Sequence, residues 1–304
     1  MRIALKVDVD TLRGTREGVP ALVELLRRHD AGATFLFSLG PDHTGRALKR
    51  IFRPGFLAKV MRTSVGANYG LRTLMYGTLL PGPDIGRRAA DAMRAVDAAG
   101  FEAGVHTWDH VRWQDHVARR DAAWTRREMR LALDRFAEVF GRPARTHGAA
   151  GWQINAHALA YEEELGLDYC SDSRGSGPFL PAMGGRVFRC PQIPTTLPTL
   201  DELIGREGIT EGNVAAHVLA LSERPPAHGH VYTLHAELEG MRLLPAFETL
   251  LQGWRARGFE LTSVAAVRRG LDPAVLPVHQ LRLDEIPGRS GPLALQGPVQ
   301  SVSN

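Results

Sequence analysis

Two histidines and two aspartates are the first residues in the chain with chemistry to offer. In Gly104-Val-His-Thr-Trp-Asp-His-Val-Arg-Trp113, the imidazoles of His106 and His110 stand four apart behind the apolar run Phe101 to Val105. If the chain turns helical there, this spacing puts both rings on one face. Neutral imidazole binds divalent transition metals, and two imidazoles plus one carboxylate leave a coordination position open. Alone the pair is weak, because two surface histidines in a turn explain it more readily. Asp8-Val-Asp10 offers carboxylates close enough to divide two roles, one binding metal and the other taking a proton from water. The plain alternative is an N-cap pair. It is weakened because Asp8 lies within an apolar strand, Ile3 to Val9, where a bare charge is costly. His235 follows the strand-like run His230 to Leu234 and can protonate a leaving amine. The plain alternative there is a satisfied core histidine, and Glu237 either orients His235 or is solvated.

These side chains need elements to hold them. The hydrophobic pattern predicts strands over Ile3 to Val9, Ala33 to Leu39, Glu102 to His106, Tyr169 to Ser171, Arg186 to Cys190, His230 to Leu234 and Phe259 to Thr262. Thr146-His147 reads as a short strand or loop. Helices are predicted over Gly18 to His29, Asp84 to Ala99, Asp121 to Phe140, Asn155 to Leu165, Thr210 or Asn213 to Leu221, Leu243 to Arg257 and Ser263 to Arg269. Strands alternating with helices imply right-handed crossovers and a parallel sheet. Asp8, Asp10, His106, His147, Asp172 and His235 all fall where strands end, the face on which an α/β barrel keeps its active site. The expected fold is therefore α/β, a distorted (β/α) barrel of about seven strands. An open doubly wound sheet is the competitor, disfavoured as a dinucleotide fold because no G-x-G-x-x-G follows the first strand.

The chain has 304 residues, 44% hydrophobic and 23% charged, which suits a soluble globular protein. Residues 1–270 are expected to form a single catalytic domain, and 271–304 a Pro/Gly-rich tail without regular structure. With only Cys170 and Cys190, neither a disulfide framework nor a thiolate zinc site is expected. No apolar run is long enough to span a bilayer, and the N-terminus lacks a signal-like apolar region, so a cytoplasmic location is expected. Residues 42–82 look inserted. There Arg46, Lys49, Arg50, Arg53, Lys59, Arg62 and Arg72 are interleaved with Phe, Leu, Met and Tyr, and no acid lies between Gly45 and Pro83. Such a block suits an anionic membrane surface, holding the protein peripherally at the cytoplasmic face of the inner membrane. A solvated helical hairpin or a dimer contact is the alternative. Nucleic acid is not expected, because base-stacking aromatics are sparse.

Taken together, the motifs resemble the polysaccharide deacetylases, which combine an early aspartate strand, an H-x-x-x-H motif and a late Leu-His segment, here Leu234-His235. Lys6-Val-Asp-Val-Asp-Thr11, His147-Gly-Ala-Ala-Gly-Trp-Gln153, Leu167-Asp-Tyr-Cys-Ser-Asp172, Leu234-His-Ala-Glu237 and Glu285-Ile-Pro-Gly288 extend the likeness over almost the whole chain. They are most similar to the branch of the family that releases formate from a formamido sugar carried on a lipid phosphate. The resemblance implies Asp10, His106 and His110 as ligands of one divalent ion (zinc, cobalt, manganese or nickel), Asp8 as general base and His235 as general acid. It also implies metal-assisted amide hydrolysis on an undecaprenyl-phosphate-linked sugar, with the oxyanion held by a backbone N–H within Gly148 to Gly151. The family's adjacent aspartates are here separated by Val9, and its Arg-x-Pro-x-Gly motif is replaced by Arg145-Thr-His147-Gly. That leaves open which aspartate is the base and what partners it. His147, Asp172, Glu237 and Arg145 are candidates to support the site or the substrate. Rival readings are a deacetylase of another amidated sugar or polymer, and a metal-bearing barrel that binds an anionic partner without catalysis.

Overall fold

The chain is described by a computed structural model covering residues 1–47, 70–289 and 291–300. Of the basic block, Lys49, Arg50, Arg53, Lys59 and Arg62 lie outside the described residues, while Arg46 and Arg72 lie within them.

Strand β1 (Arg2–Val9) runs through the centre of the molecule, and every residue from Ile3 to Val9 is buried. Burial on both faces explains why its sequence reads as a nearly continuous apolar run. Helix α1 (Val19–Arg28) covers the sheet with Val19, Leu22, Leu25 and Leu26, the spacing of one helical face. Strand β2 (Thr34–Ser38) follows, then helices α2 (Leu71–Met75), α3 (Ile85–Arg88) and α4 (Ala90–Ala98). The single helix expected over Asp84 to Ala99 is thus two. Ile85 and Gly86 donate to the carbonyls of Gly40 and Leu39, so the first turn follows the sheet and the backbone leaves helical geometry at Ala89.

Strand β3 (Glu102–Thr107) leads into α5 (His110–His116), whose N-cap is the Asp109 carboxylate. The long α6 (Ala122–Phe140) is capped by Asp121 and stopped by Gly141 at φ 68°, a left-handed position that glycine adopts without penalty. Next come β4 (Thr146–His147), α7 (Ala156–Leu165, capped by Asn155) and β5 (Tyr169–Cys170). Strands β6 (Leu180–Met183) and β7 (Arg186–Val187) and helices α8 (Leu200–Leu203) and α9 (Val214–Leu221) precede β8 (His230–His235), α10 (Leu244–Ala256), β9 (Glu260–Ser263) and α11 (Val264–Arg269).

The main sheet has seven strands in the order β5-β4-β3-β2-β1-β8, with β9 also on β1. Every pair in it is parallel. Since β8 accompanies β1 from Ile3 to Asp8, its other edge is shared, β9 taking Arg2 to Leu5 and β2 taking Lys6 to Val9. The result is a curled, incomplete barrel with helices outside, the distorted (β/α) barrel that the alternating pattern implies. All strands point the same way, so their C-terminal ends share one rim.

The stretch from Gly270 departs from expectation. Instead of an irregular tail it forms β10 (Val278–Asp284) and β11 (Leu293–Val299), an antiparallel pair. β10 also lies parallel to β6, giving a second, four-stranded sheet with β7. Its Leu281 and Ala294 pack with Phe179, Phe188 and Trp113, so this sheet backs the rim on one side.

Candidate active site

Two strand ends and one helix start converge at the C-terminal rim. Asp10 is the first residue past β1, His106 lies near the end of β3, and His110 opens α5. The two histidines therefore do not share a helical face. A strand-to-helix turn at Trp108-Asp109 folds between them, and it still brings their ring centroids to 5.4 Å. Asp10 bridges the pair, with Oδ1 3.3 Å from His106 Nε2 and Oδ2 3.4 Å from His110 Nε2. The three groups place one ligand atom each within 4.8 Å of the others.

This donor set fits a divalent cation. Asp10 Oδ1 is buried and has no hydrogen-bond partner among the described residues. His106 donates Nδ1–H to the Gly148 carbonyl at 2.6 Å, which fixes the tautomer and leaves Nε2 with its lone pair toward Asp10. Two imidazoles and a carboxylate are the composition of an open, catalytic site rather than a closed structural one. Burial pushes the Asp10 carboxyl up, but His110 and His106 outweigh it and hold it below the usual carboxylate range.

Asp8 lies two residues back on the same face of β1, as the alternation of a strand requires. In the parallel register it pairs with His235 on β8, so base and acid candidates stand abreast. Asp8 Oδ1 and His235 Nδ1 are both buried without a hydrogen-bond partner among the described residues. In a folded interior, such atoms mark where a ligand makes the missing contacts. Asp8 Oδ2 is 3.5 Å from the fully buried ammonium of Lys6, which also donates to the Ser171 carbonyl at 3.0 Å. Burial pulls the Lys6 pKa down from its ordinary value, against the charges of Asp8 and Asp172. Gly148 makes room for this packing, since a Cβ there would meet Leu36 Cδ1 at 2.3 Å and Lys6 Cε at 3.2 Å.

Glu237 is buried, not solvated, and it does not orient His235. Its Oε1 accepts from Asp10 N at 3.0 Å, Thr11 N at 2.8 Å and the Thr11 hydroxyl at 2.9 Å, so it fixes the turn that carries Asp10. Burial and the Asp10 charge raise its pKa to about 8. The residue that reaches the start of the His235 turn is Glu239, which accepts from His235 N at 2.9 Å.

His147 and Asp172 lie directly behind this centre. His147 Nδ1 is 2.9 Å from Glu162 Oε1 and 3.0 Å from Asp172 Oδ1. Asp172 in turn accepts from Ala149 N at 2.7 Å and from Gln192 Nε2 at 2.6 Å. Although burial opposes its charge, Asp172 and Glu162 raise His147 to about 10. Burial and Asp172 raise Glu162 to about 8. A charged His147, an ionised Asp172 and a protonated Glu162 balance one another, so the network is self-consistent and supports the loop that follows β4. Gly148 N is bound to the Val105 carbonyl and Ala149 N to Asp172, which removes both from the expected oxyanion donors. Arg145 also falls elsewhere. It precedes β4 rather than following it, faces solvent, and holds Asp168 with a bond of 3.0 Å from Nε.

Several side chains at the site escape a reading of sequence alone. Glu162 sits between residues of a helix with no local mark to separate it from the outward Glu163 and Glu164. Lys6 was legible in principle, because residues 6, 8 and 10 alternate onto one face. Trp152, buried at the positive φ of 54°, has Lys6, Arg174 and Arg289 over its ring at 5.2, 4.9 and 4.5 Å. Arg289 reaches it from the turn before β11, which only the tertiary fold brings near.

Comparison with known proteins places this geometry. Residues 2–170 match the polysaccharide deacetylase family. The chain is 37% identical over 300 residues to the probable 4-deoxy-4-formamido-L-arabinose-phosphoundecaprenol deformylase of Shewanella sediminis (strain HAW-EB3), covering 98% of this chain and 95% of that one. The protein of the same name from Wigglesworthia glossinidia brevipalpis is 31% identical, covering 94% and 99%. Among solved structures, a Mycobacterium smegmatis protein assigned as a polysaccharide deacetylase superposes with a TM-score of 0.64 at 15% identity, over 94% of each chain. A family 4 carbohydrate esterase from Streptomyces lividans gives 0.50 at 12% identity, over 90% and 94%. The last two speak for the fold alone. With the family match over more than half its length and relatives alike from end to end, this chain belongs to the polysaccharide deacetylase family.

Proposed function

We propose that the chain is a metal-dependent amide hydrolase that releases formate from 4-deoxy-4-formamido-L-arabinose carried on undecaprenyl phosphate. The product would be the lipid-linked aminoarabinose used to modify lipid A. The observation that carries the hydrolase reading is the joint placement of Asp10, His106 and His110 beside two buried, unpartnered proton-transfer atoms, Asp8 Oδ1 and His235 Nδ1. The formyl preference and the lipid carrier are supported by the names of the two relatives.

Asp10, His106 and His110 would hold the ion, with zinc, cobalt, manganese and nickel all compatible with these donors. When bound, a divalent cation supplies polarisation of the amide carbonyl and a water acidic enough to attack near neutral pH. Asp8, adjacent but outside the donor set, accepts the proton of that water at Oδ1. His235 then gives a proton to the nitrogen as the C–N bond breaks, and formate and the amine leave. This assignment makes the first aspartate the base and the second the ligand, in keeping with Asp10 being the one between the imidazoles. Glu237 keeps the Asp10 turn in place, and Asp172 with His147 keeps the Gly148 carbonyl on His106.

A lipid-linked substrate calls for contact with a membrane. No helix among the described residues is long and apolar enough to cross one. The basic block supports a peripheral attachment instead. Within its described part, Leu71 and Leu79 are 75% and 81% exposed, and Arg46 and Arg72 are exposed as well. Exposed leucines among cations suit the boundary between headgroups and acyl chains. The test of the function is formate release by the purified protein from the formamido-arabinose lipid phosphate, set beside acetate release from the acetamido analogue. Formate release with metal bound is expected; turnover of the acetamido analogue alone would overturn the deformylase reading.

A further inference from the structure

We propose that Lys6 is a positioning residue for the hydrolysis, its buried ammonium fixing the Asp8 carboxylate so that Oδ1 faces the attacking water. This rests on the assignment of Asp8 as general base. Lys6 is 0% exposed in the middle of a strand whose other buried positions, Ile3 to Val9, are apolar apart from Asp8. A lysine in such a place is expensive to bury, and a strand interior favours Val or Ile. Its partners say what holds it. The Ser171 carbonyl takes one N–H at 3.0 Å, Asp8 Oδ2 lies at 3.5 Å, and the Trp152 ring faces the ammonium at 5.2 Å. The stem is held too, since it passes Gly148 where a Cβ would stand 3.2 Å from Cε.

The consequence for Asp8 is directional. One carboxylate oxygen, Oδ2, is tied to a fixed cation, so the other, Oδ1, is turned away from it and left unpartnered. Oδ1 is also the oxygen nearer the metal ligands, 3.9 Å from His106 Nδ1. A carboxylate without this tether would rotate freely between its two oxygens, or swing toward the imidazoles. Arg145, from the stretch where the family's arginine motif would fall, is at the surface with Asp168 and cannot take the role.

The experiment compares Lys6→Met and Lys6→Arg with wild type for formate release, metal content and circular dichroism. Lys6→Gln, which keeps a donor for Ser171 without the charge, replaces Lys6→Met if the latter does not fold. Expected is a fall in kcat of about 10²-fold in the uncharged variant, with KM and metal content within about twofold, and recovery of most of that loss in Lys6→Arg. The same substitution in an Asp8→Asn background should cost less than about threefold in kcat, because the residue acts through Asp8. A folded, uncharged variant with wild-type kcat overturns the proposal, as does an equal loss with and without Asp8. The comparison uses whichever N-acyl sugar wild type hydrolyses, so failure on the formyl substrate alone sinks the deformylase reading and not the role of Lys6.

Discussion

Replacing Gly148 with alanine tests whether the metal ligands are held from behind. The added Cβ would stand 2.3 Å from Leu36 Cδ1, 3.2 Å from Lys6 Cε and 3.3 Å from the Ser171 carbonyl. Leu36 is 1% exposed in the middle of β2 and has nowhere to swing, so the strain falls on the Gly148 backbone. Relief requires a recoil of about 1 Å, and overpacking of this kind costs about 1–3 kcal/mol of stability. The same backbone carries the carbonyl that accepts from His106 Nδ1 at 2.6 Å. Loss of such an orienting contact typically weakens metal binding about 10–100-fold. Chelator competition followed by metal analysis reads the affinity, and thermal unfolding reads the stability. A folded Gly148→Ala protein that binds metal within about twofold of wild type would refute the orienting role of this carbonyl.

Other outcomes follow from the same geometry. Asp8→Asn and His235→Gln should each lower kcat by about 10²–10⁴-fold while metal content stays unchanged, and loss of metal from Asp8→Asn would make Asp8 a ligand instead. Stability should fall as pH rises: His147 at about 10 against an ordinary 6.5, and Glu162 at about 8 against 4.5, both hold protons more tightly when folded. Raised folded values give stability that is complete below the unfolded pKa and is lost on the way up, through 4.5 to 8 for Glu162 and 6.5 to 10 for His147. Denaturant unfolding across this range checks it, and a flat profile between about pH 7 and about 10 would contradict the charge assignment. Replacing Arg50, Arg53, Lys59 and Arg62 with serine should release the protein from anionic vesicles in flotation and leave metal content alone; persistent binding would show that the insertion is not the anchor.

Much of the barrel is legible because a parallel sheet imposes short apolar runs with polar residues at their ends. The placement of Asp8, Asp10, His106 and His235 at strand ends is legible on that ground, and Thr146-His147, which reads as a short strand or loop, is a two-residue strand. What is missed has a common cause. The second sheet joins Leu180–Met183 to Val278–Asp284, a pairing across about a hundred residues that leaves no local trace. Glu162 looks like Glu163 and Glu164 beside it until the fold sets it against His147. Arg145 looks functional by its motif position, yet it stands before β4 rather than after it and faces solvent with Asp168, away from the site. The shared helical face expected of His106 and His110 fails because His106 still belongs to β3 and the helix capped by Asp109 begins only at His110, which shows that ligand spacing does not specify the element that delivers it.

The most direct test of the metal centre is metal analysis of purified wild type and His110→Ala, with formate release measured on the same samples. The structure predicts a divalent ion bound to wild type, and its loss together with formate release in a variant whose circular dichroism is unchanged. A folded His110→Ala protein that keeps full metal content, or that releases formate at the wild-type rate, would contradict the Asp10–His106–His110 centre.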